Sequence, residues 1–198
     1  MHGLVNRSIQ SFLRDTYGAA FWARVAEAAG LPEDGFETMQ RYDDALTDRV
    51  INIAAGLLDR HAPPMLEDLG TYLVSDPRRE RLRRLLRLGG AGYVDFLHSL
   101  EDLPERARLA LPDLDLPQLC LNEPEPGRFM LACRAAHPGF QHVLVGMLRA
   151  MADDYGALVV IDTAGRADGA DRISIDLLDQ SYTRGKQFEL AAGMAAGL

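Results

Sequence analysis

The chain has 198 residues, 47% of them hydrophobic and 25% charged, with a formal net charge of -8. These values describe a soluble globular protein large enough to bury a sizeable core, and the negative charge argues against broad nucleic-acid binding. No apolar run is long enough to span a membrane, no secretory signal opens the chain, and two cysteines are too few for a disulfide framework, so a cytoplasmic protein is expected.

The first half reads as helices. In SIQSFLRDTYGAAFWARVAEAAG, residues Ile9, Phe12, Leu13, Phe21, Val25 and Ala28 recur at helical spacing, with a break near Gly18. Gly30 and Pro32 stop the second helix. Thr47 is a candidate cap for TDRVINIAAGLLDRH, whose Val50, Ile53, Leu57 and Leu58 share one face. After a break at Pro63 and Pro64, MLEDLGTYLVS forms a short helix. Ser75 or Asp76 then caps DPRRERLRRLLRLGG, with Pro77 in the first turn. GYVDFLHSL is a short helical segment, and DLPERARLAL restarts with Asp102 as cap and Pro104 in its first turn.

The period then changes. QLCLNE and RFMLACRA alternate about the turn-rich PEPG and predict a hairpin. FQHVLVGMLRAMADDYG returns to helical spacing, and ALVVID and DRISIDLLD are predicted strands flanking the loop TAGRADGA. The expected fold class is α+β: a helical lobe over about residues 1–62 and a lobe of helices and a small antiparallel sheet over about 63–183. Together they form one domain, with a flexible tail from 184 to 198. No internal repeat or separating linker is visible.

Few residues suggest chemistry. No histidine pair has a metal-ligand spacing, and no Ser/His/Asp set, phosphate-binding loop or paired-carboxylate motif stands out, so an enzyme is not expected. The arginines between Arg78 and Arg87 suit a phosphate or an acidic partner, or else the solvated face of a helix whose Leu82, Leu85, Leu86 and Leu88 pack inward. Cys120 and Cys133 fall on the two arms of the hairpin, as a reversible redox pair or as two small buried hydrophobes.

Three segments together resemble the haem nitric oxide/oxygen binding (H-NOX) family, the sensor fold of bacteria and of soluble guanylate cyclase. MHGLVNRSIQSFLRDTYGAAFW is similar to the family's opening, and GFQHVLVGMLRAMADDYG to the helix after its cofactor clamp. GYVDFLHSLEDLPERARLALPDLDLPQL follows its frame FL-x-x-L-x-x-L-His with a proline eight residues on. The resemblance covers about residues 1–180.

The resemblance implies haem b, sensing of nitric oxide or oxygen, and control of a histidine kinase or diguanylate cyclase, with no membrane or nucleic-acid partner. It also places the cofactor residues. Phe96, Leu97, Leu100 and Leu103 keep the frame, so Pro104 stands where the family has its iron-ligating histidine, and Pro112 matches the proline packed against haem. Proline has no lone pair for iron. The nearest other imidazole, and the candidate metal ligand, is His98, six residues earlier. The family's Tyr-x-Ser-x-Arg propionate clamp falls on Cys133, Ala135 and His137, with Arg134 and His137 left to meet one anionic group. Three readings remain open: a haem sensor ligated through His98, a haem-free domain binding another ligand or only a partner, and a Cys120/Cys133 redox switch.

Overall fold

The helices form where apolar residues recur at a spacing of three and four. In the computed structural model, which describes residues 1–181, the first lobe contains α1 (Gly3–Tyr17), α2 (Ala19–Ala29) and α3 (Asp44–Leu57). Gly18 and Gly30 separate and end the first two helices, Gly30 in the left-handed conformation that favours glycine. The α3 cap differs from the sequence reading. Asp43 accepts from the Ala45 amide, whereas Thr47 lies inside the helix and donates its hydroxyl to Asn6 Oδ1 at 2.8 Å. Asn6 is completely buried, so Thr47 serves to satisfy its side-chain carbonyl oxygen in the core.

The helix α4 (Ala62–Ser75) begins before the expected break. Pro63 and Pro64 occupy its first turn, where a missing N–H costs nothing. A short 3-10 turn (Pro77–Arg79), capped by Asp76, leads into α5 (Glu80–Arg87), followed by α6 (Tyr93–Ser99) and α7 (Leu103–Ala110). On α5, Leu86 is buried and Leu82 and Leu85 half-buried, but Leu88 faces solvent, contrary to the inward face expected of it. The arginines with described side chains are engaged within the chain. Arg78 pairs with Asp76 and Asp15, Arg83 with the buried Asp154, and Arg84 with Glu80, while Arg87 lies 4.0 Å over the Tyr155 ring.

The sheet comprises β1 (Gln118–Glu125), β2 (Arg128–Arg134), β3 (Leu158–Ala167) and β4 (Ala170–Asp179), antiparallel in the order β1-β2-β4-β3, with α8 (Phe140–Tyr155) joining its two hairpins. The segment TAGRADGA is mostly strand. Only Asp168 and Gly169 turn, at φ 54° and 76°, the left-handed pair of a two-residue hairpin. Gly165, with φ 78°, falls where the β3–β4 register shifts and absorbs that irregularity.

Two apolar clusters result. One gathers α1, α2, α3 and the first part of α4; the other gathers α5, α6, α7, α8 and the inner face of the sheet. α4 belongs to both, contributing Met65, Leu66 and Leu69 to the first and Val74 to the second. It crosses α8 at Gly70 and Gly146, where a Cβ would lie 2.0 Å and 1.9 Å from a carbonyl oxygen of the other helix. Among the described residues no helix is long and apolar enough to cross a membrane. Residues 184–198, expected to be flexible, lie outside those described.

Candidate functional site

Between the two clusters lies a cavity of about 300 Å³. Its wall is drawn from nearly every helix: Leu4 and Val5 of α1, Ile51 of α3, Leu69 and Leu73 of α4, Leu82 and Leu85 of α5, Leu103 and Ala107 of α7, and Val143, Leu144 and Met147 of α8. The loop after α7 adds Leu111, Leu114, Leu116 and Pro117. Each helix turns its inward stripe to the core, and where the two lobes do not meet these stripes face one another across open space. Among the described residues the wall holds no lysine, arginine or carboxylate.

The wall's polar side chains are few, and two are already engaged. The Ser8 hydroxyl donates to the Leu4 carbonyl at 2.9 Å, and Thr47 to Asn6. The third, His137, lies in the loop between β2 and α8. Its Nδ1 is 2.9 Å from the Pro138 carbonyl, and its Nε2 is 3.1 Å from Asp48 Oδ1 on α3. That contact lies off a hydrogen-bonding line, so the buried Nε2 is left without a partner. Nearby, Arg41 of the first lobe donates to the Asp113 carbonyl at 2.8 Å. The His137–Asp48 and Arg41–Asp113 contacts tie the first lobe to the loops after β2 and α7.

Of the cofactor residues that the resemblance implied, Pro104 and His137 are on this wall, whereas His98, Pro112, Cys133 and Arg134 are not. Pro104 is buried in the first turn of α7, where its ring pre-sets the helical backbone and presents only carbon to the cavity. His98 is exposed on α6, its ring edge-on to Phe129 at 6.2 Å, and so stands outside the cavity. Pro112 is exposed in the turn after α7, and the buried loop proline on the wall is Pro117. Arg134 and His137 do not converge on one anion. Arg134 lies outside on the sheet, donates to the Asp168 carbonyl, and borders a separate polar groove with Glu101, Arg108 and Cys120.

The cysteine pairing is also corrected. Cys133 stands opposite Leu119, and Cys120 opposite Ala132, so the two thiols project from opposite faces of the sheet. Cys120 is exposed and Cys133 buried, and both are free. A one-residue offset on a pleated strand is enough to prevent a disulfide. Burial, reinforced by Asp171, pushes the Cys133 thiol up to about 12, and hydrogen bonding to Glu101 pushes the Cys120 thiol up, so neither favours the reactive thiolate.

The aliphatic wall could not be read from the sequence, because Leu4, Ile51, Leu73 and Val143 have the spacing of any core stripe. His137 could be read as a clamp position but not as a neighbour of Asp48, which is 89 residues away in the chain.

Comparison with known proteins accords with this architecture. The family model described as Haem-NO-binding matches residues 2–163. The chain is 25% identical over 150 residues to soluble guanylate cyclase gcy-31 of Caenorhabditis elegans, covering 75% of this chain and 21% of that protein. It is 21% identical over 187 residues to soluble guanylate cyclase 89Da of Drosophila melanogaster, covering 92% and 28%. It thus spans between a fifth and a third of the length of these relatives. Among solved structures, Fe(II) unliganded H-NOX protein from K. algicida superposes with a TM-score of 0.78 at 15% identity, over 92% of this chain and 100% of the other. An oxygen-binding H-NOX domain related to soluble guanylate cyclases gives 0.70 at 13% identity, over 94% and 100%.

Proposed function

This chain belongs to the haem-NO-binding (H-NOX) family, and from that premise we propose a sensory domain whose cavity takes an uncharged apolar ligand in place of haem. It acts by binding and signalling, without catalysis, in the cytoplasm. Its partner is another protein, of the histidine kinase or diguanylate cyclase kind.

The observation that carries this reading is Pro104 on the wall of a cavity with no described lysine or arginine. Haem needs an axial donor for iron and positive or hydroxyl groups for two propionates. The residues present do not fit it. Proline replaces the donor, Cys133 and Arg134 of the clamp region are off the wall, and the remaining imidazole, His137, lies beside a carboxylate. An aliphatic cavity of this kind favours ligands that leave water without bringing charge.

Signalling follows from the cavity's position. A ligand touching both lobes shifts the balance between two lobe arrangements by its difference in affinity for them. The contacts that must change are Arg41–Asp113 and His137–Asp48, and α7, whose first turn contacts the ligand, carries the shift outward.

The test is a haemin titration followed by absorbance. The parent chain is expected to give no stoichiometric Soret band, and Pro104→His, which returns an imidazole to that position, is expected to gain one. A full Soret band in the parent would refute the haem-free reading.

A further inference from the structure

Resting on the uncharged-ligand reading of this cavity, we propose that the ligand is a hydrocarbon of about eight to twelve carbon atoms, a molecule without any hydrogen-bonding group. A polar group on a ligand gains from a cavity only where the wall offers it a partner. Among the described residues, each polar side chain of this wall is already taken. The Ser8 hydroxyl donates to the Leu4 carbonyl, and the Thr47 hydroxyl to Asn6. The ammonium of Met1, another wall residue, is held by the Tyr42 carbonyl and the Asp44 carboxylate. His137 has its Nδ1 2.9 Å from the Pro138 carbonyl and its Nε2 buried beside Asp48, so neither nitrogen is open to a ligand.

What remains is hydrocarbon surface: the leucine, isoleucine, valine and methionine side chains of the helices, with Pro104, Pro117 and Phe140. A hydroxyl or carboxylate carried into this space gives up its water and gains no partner, whereas each CH₂ that leaves water is favoured. Size excludes both extremes. An apolar cavity of about 150 Å³ holds benzene, so 300 Å³ suits about a dozen non-hydrogen atoms, far fewer than a porphyrin has. A diatomic gas, at the other extreme, touches only part of the wall and leaves most of its dispersion contact unmade. The cavity is partly open to solvent, so its wall is within a ligand's reach.

The experiment is headspace gas chromatography of nonane above a solution of the whole chain at pH 8. The competitors are octan-1-ol, in which a hydroxyl replaces one terminal methyl, and octanoate. Nonane is expected to leave the vapour saturably, one molecule per chain, and to bind at least about tenfold more tightly than octan-1-ol, with octanoate weaker still. Met147→Trp and Ala107→Leu fill the cavity from α8 and from α7. Each is expected to return nonane to the vapour while keeping the circular dichroism spectrum of the parent. Full retention of nonane by either variant that keeps this spectrum puts the ligand elsewhere and overturns the proposal. Octan-1-ol binding within that tenfold of nonane, or more tightly, overturns the hydrocarbon class and leaves the uncharged-ligand reading standing. Tightest binding by octanoate, or binding of none of the three, overturns both.

Discussion

The crossing of α4 and α8 can be tested with a single methyl group. Gly146→Ala places a Cβ 1.9 Å from the Glu67 carbonyl oxygen, about 1.5 Å inside ordinary contact, and the obstructing atom is backbone that cannot rotate away. The two helices must separate, and Leu69, Leu73, Val143 and Met147 lose part of their mutual dispersion contact. In an open helix, glycine to alanine stabilises by up to about 1 kcal/mol. Here overpacking outweighs that gain, and the net cost is roughly 3 kcal/mol. For a chain of this length, a loss of that size lowers the Tm by roughly 6–12 °C. Gly56→Ala is the matched control. Gly56 lies in α3 with nothing within 4 Å of the added carbon, so this substitution is expected to raise stability by roughly 0.5–1 kcal/mol. Guanidinium melts followed by circular dichroism measure both. An unchanged or higher midpoint for Gly146→Ala would show that the helices do not meet at this pair, and that the cavity beside it is not framed as described.

The other expectations concern the second core and the thiols. Leu131→Ala removes a fully buried side chain from the inner face of the sheet and is expected to cost roughly 2–5 kcal/mol in a denaturant melt; a loss below 1 kcal/mol would place Leu131 outside the core. Asp154→Ala leaves the half-buried Arg83 without its carboxylate and is expected to cost roughly 3 kcal/mol, whereas an exposed pair such as Arg84–Glu80 contributes under about 1 kcal/mol. Because burial raises the Cys133 thiol from its ordinary 9.0 to about 12, its contribution to stability is complete below pH 9 and is lost as pH rises towards 12. Cys133→Ala should therefore flatten the alkaline fall in stability, and an identical fall would refute the assignment. A thiol reagent should label Cys120 in the folded chain and Cys133 only on unfolding, and diamide should give no internal disulfide.

Much of the architecture was legible locally. Apolar spacing marks the helices, Gly18 and Gly30 separate and end the first two, and alternation about Pro126–Gly127 marks a hairpin, because each of these depends on near neighbours alone. Where the local reading failed, a competing local rule was present. Asp43 capped α3 ahead of Thr47, and Asp168–Gly169 closed a two-residue turn inside a segment rich in loop residues. The frame Phe96–Leu103 likewise carried the resemblance to the family, which a family model over residues 2–163 bears out.

The sequence by itself determined the elements and the family frame, since both are written in residue identity and spacing. Tertiary structure alone decided which of the singled-out residues meet. Pro104 and His137 share a wall, His98 and Arg134 face away, and Cys120 and Cys133 are separated by the pleat of the sheet. The reason is that a side chain's direction is set by the element that carries it, but its neighbours are set by how elements pack. The approach of α3 to the β2–α8 loop puts Asp48 beside His137, and no spacing along the chain encodes that contact.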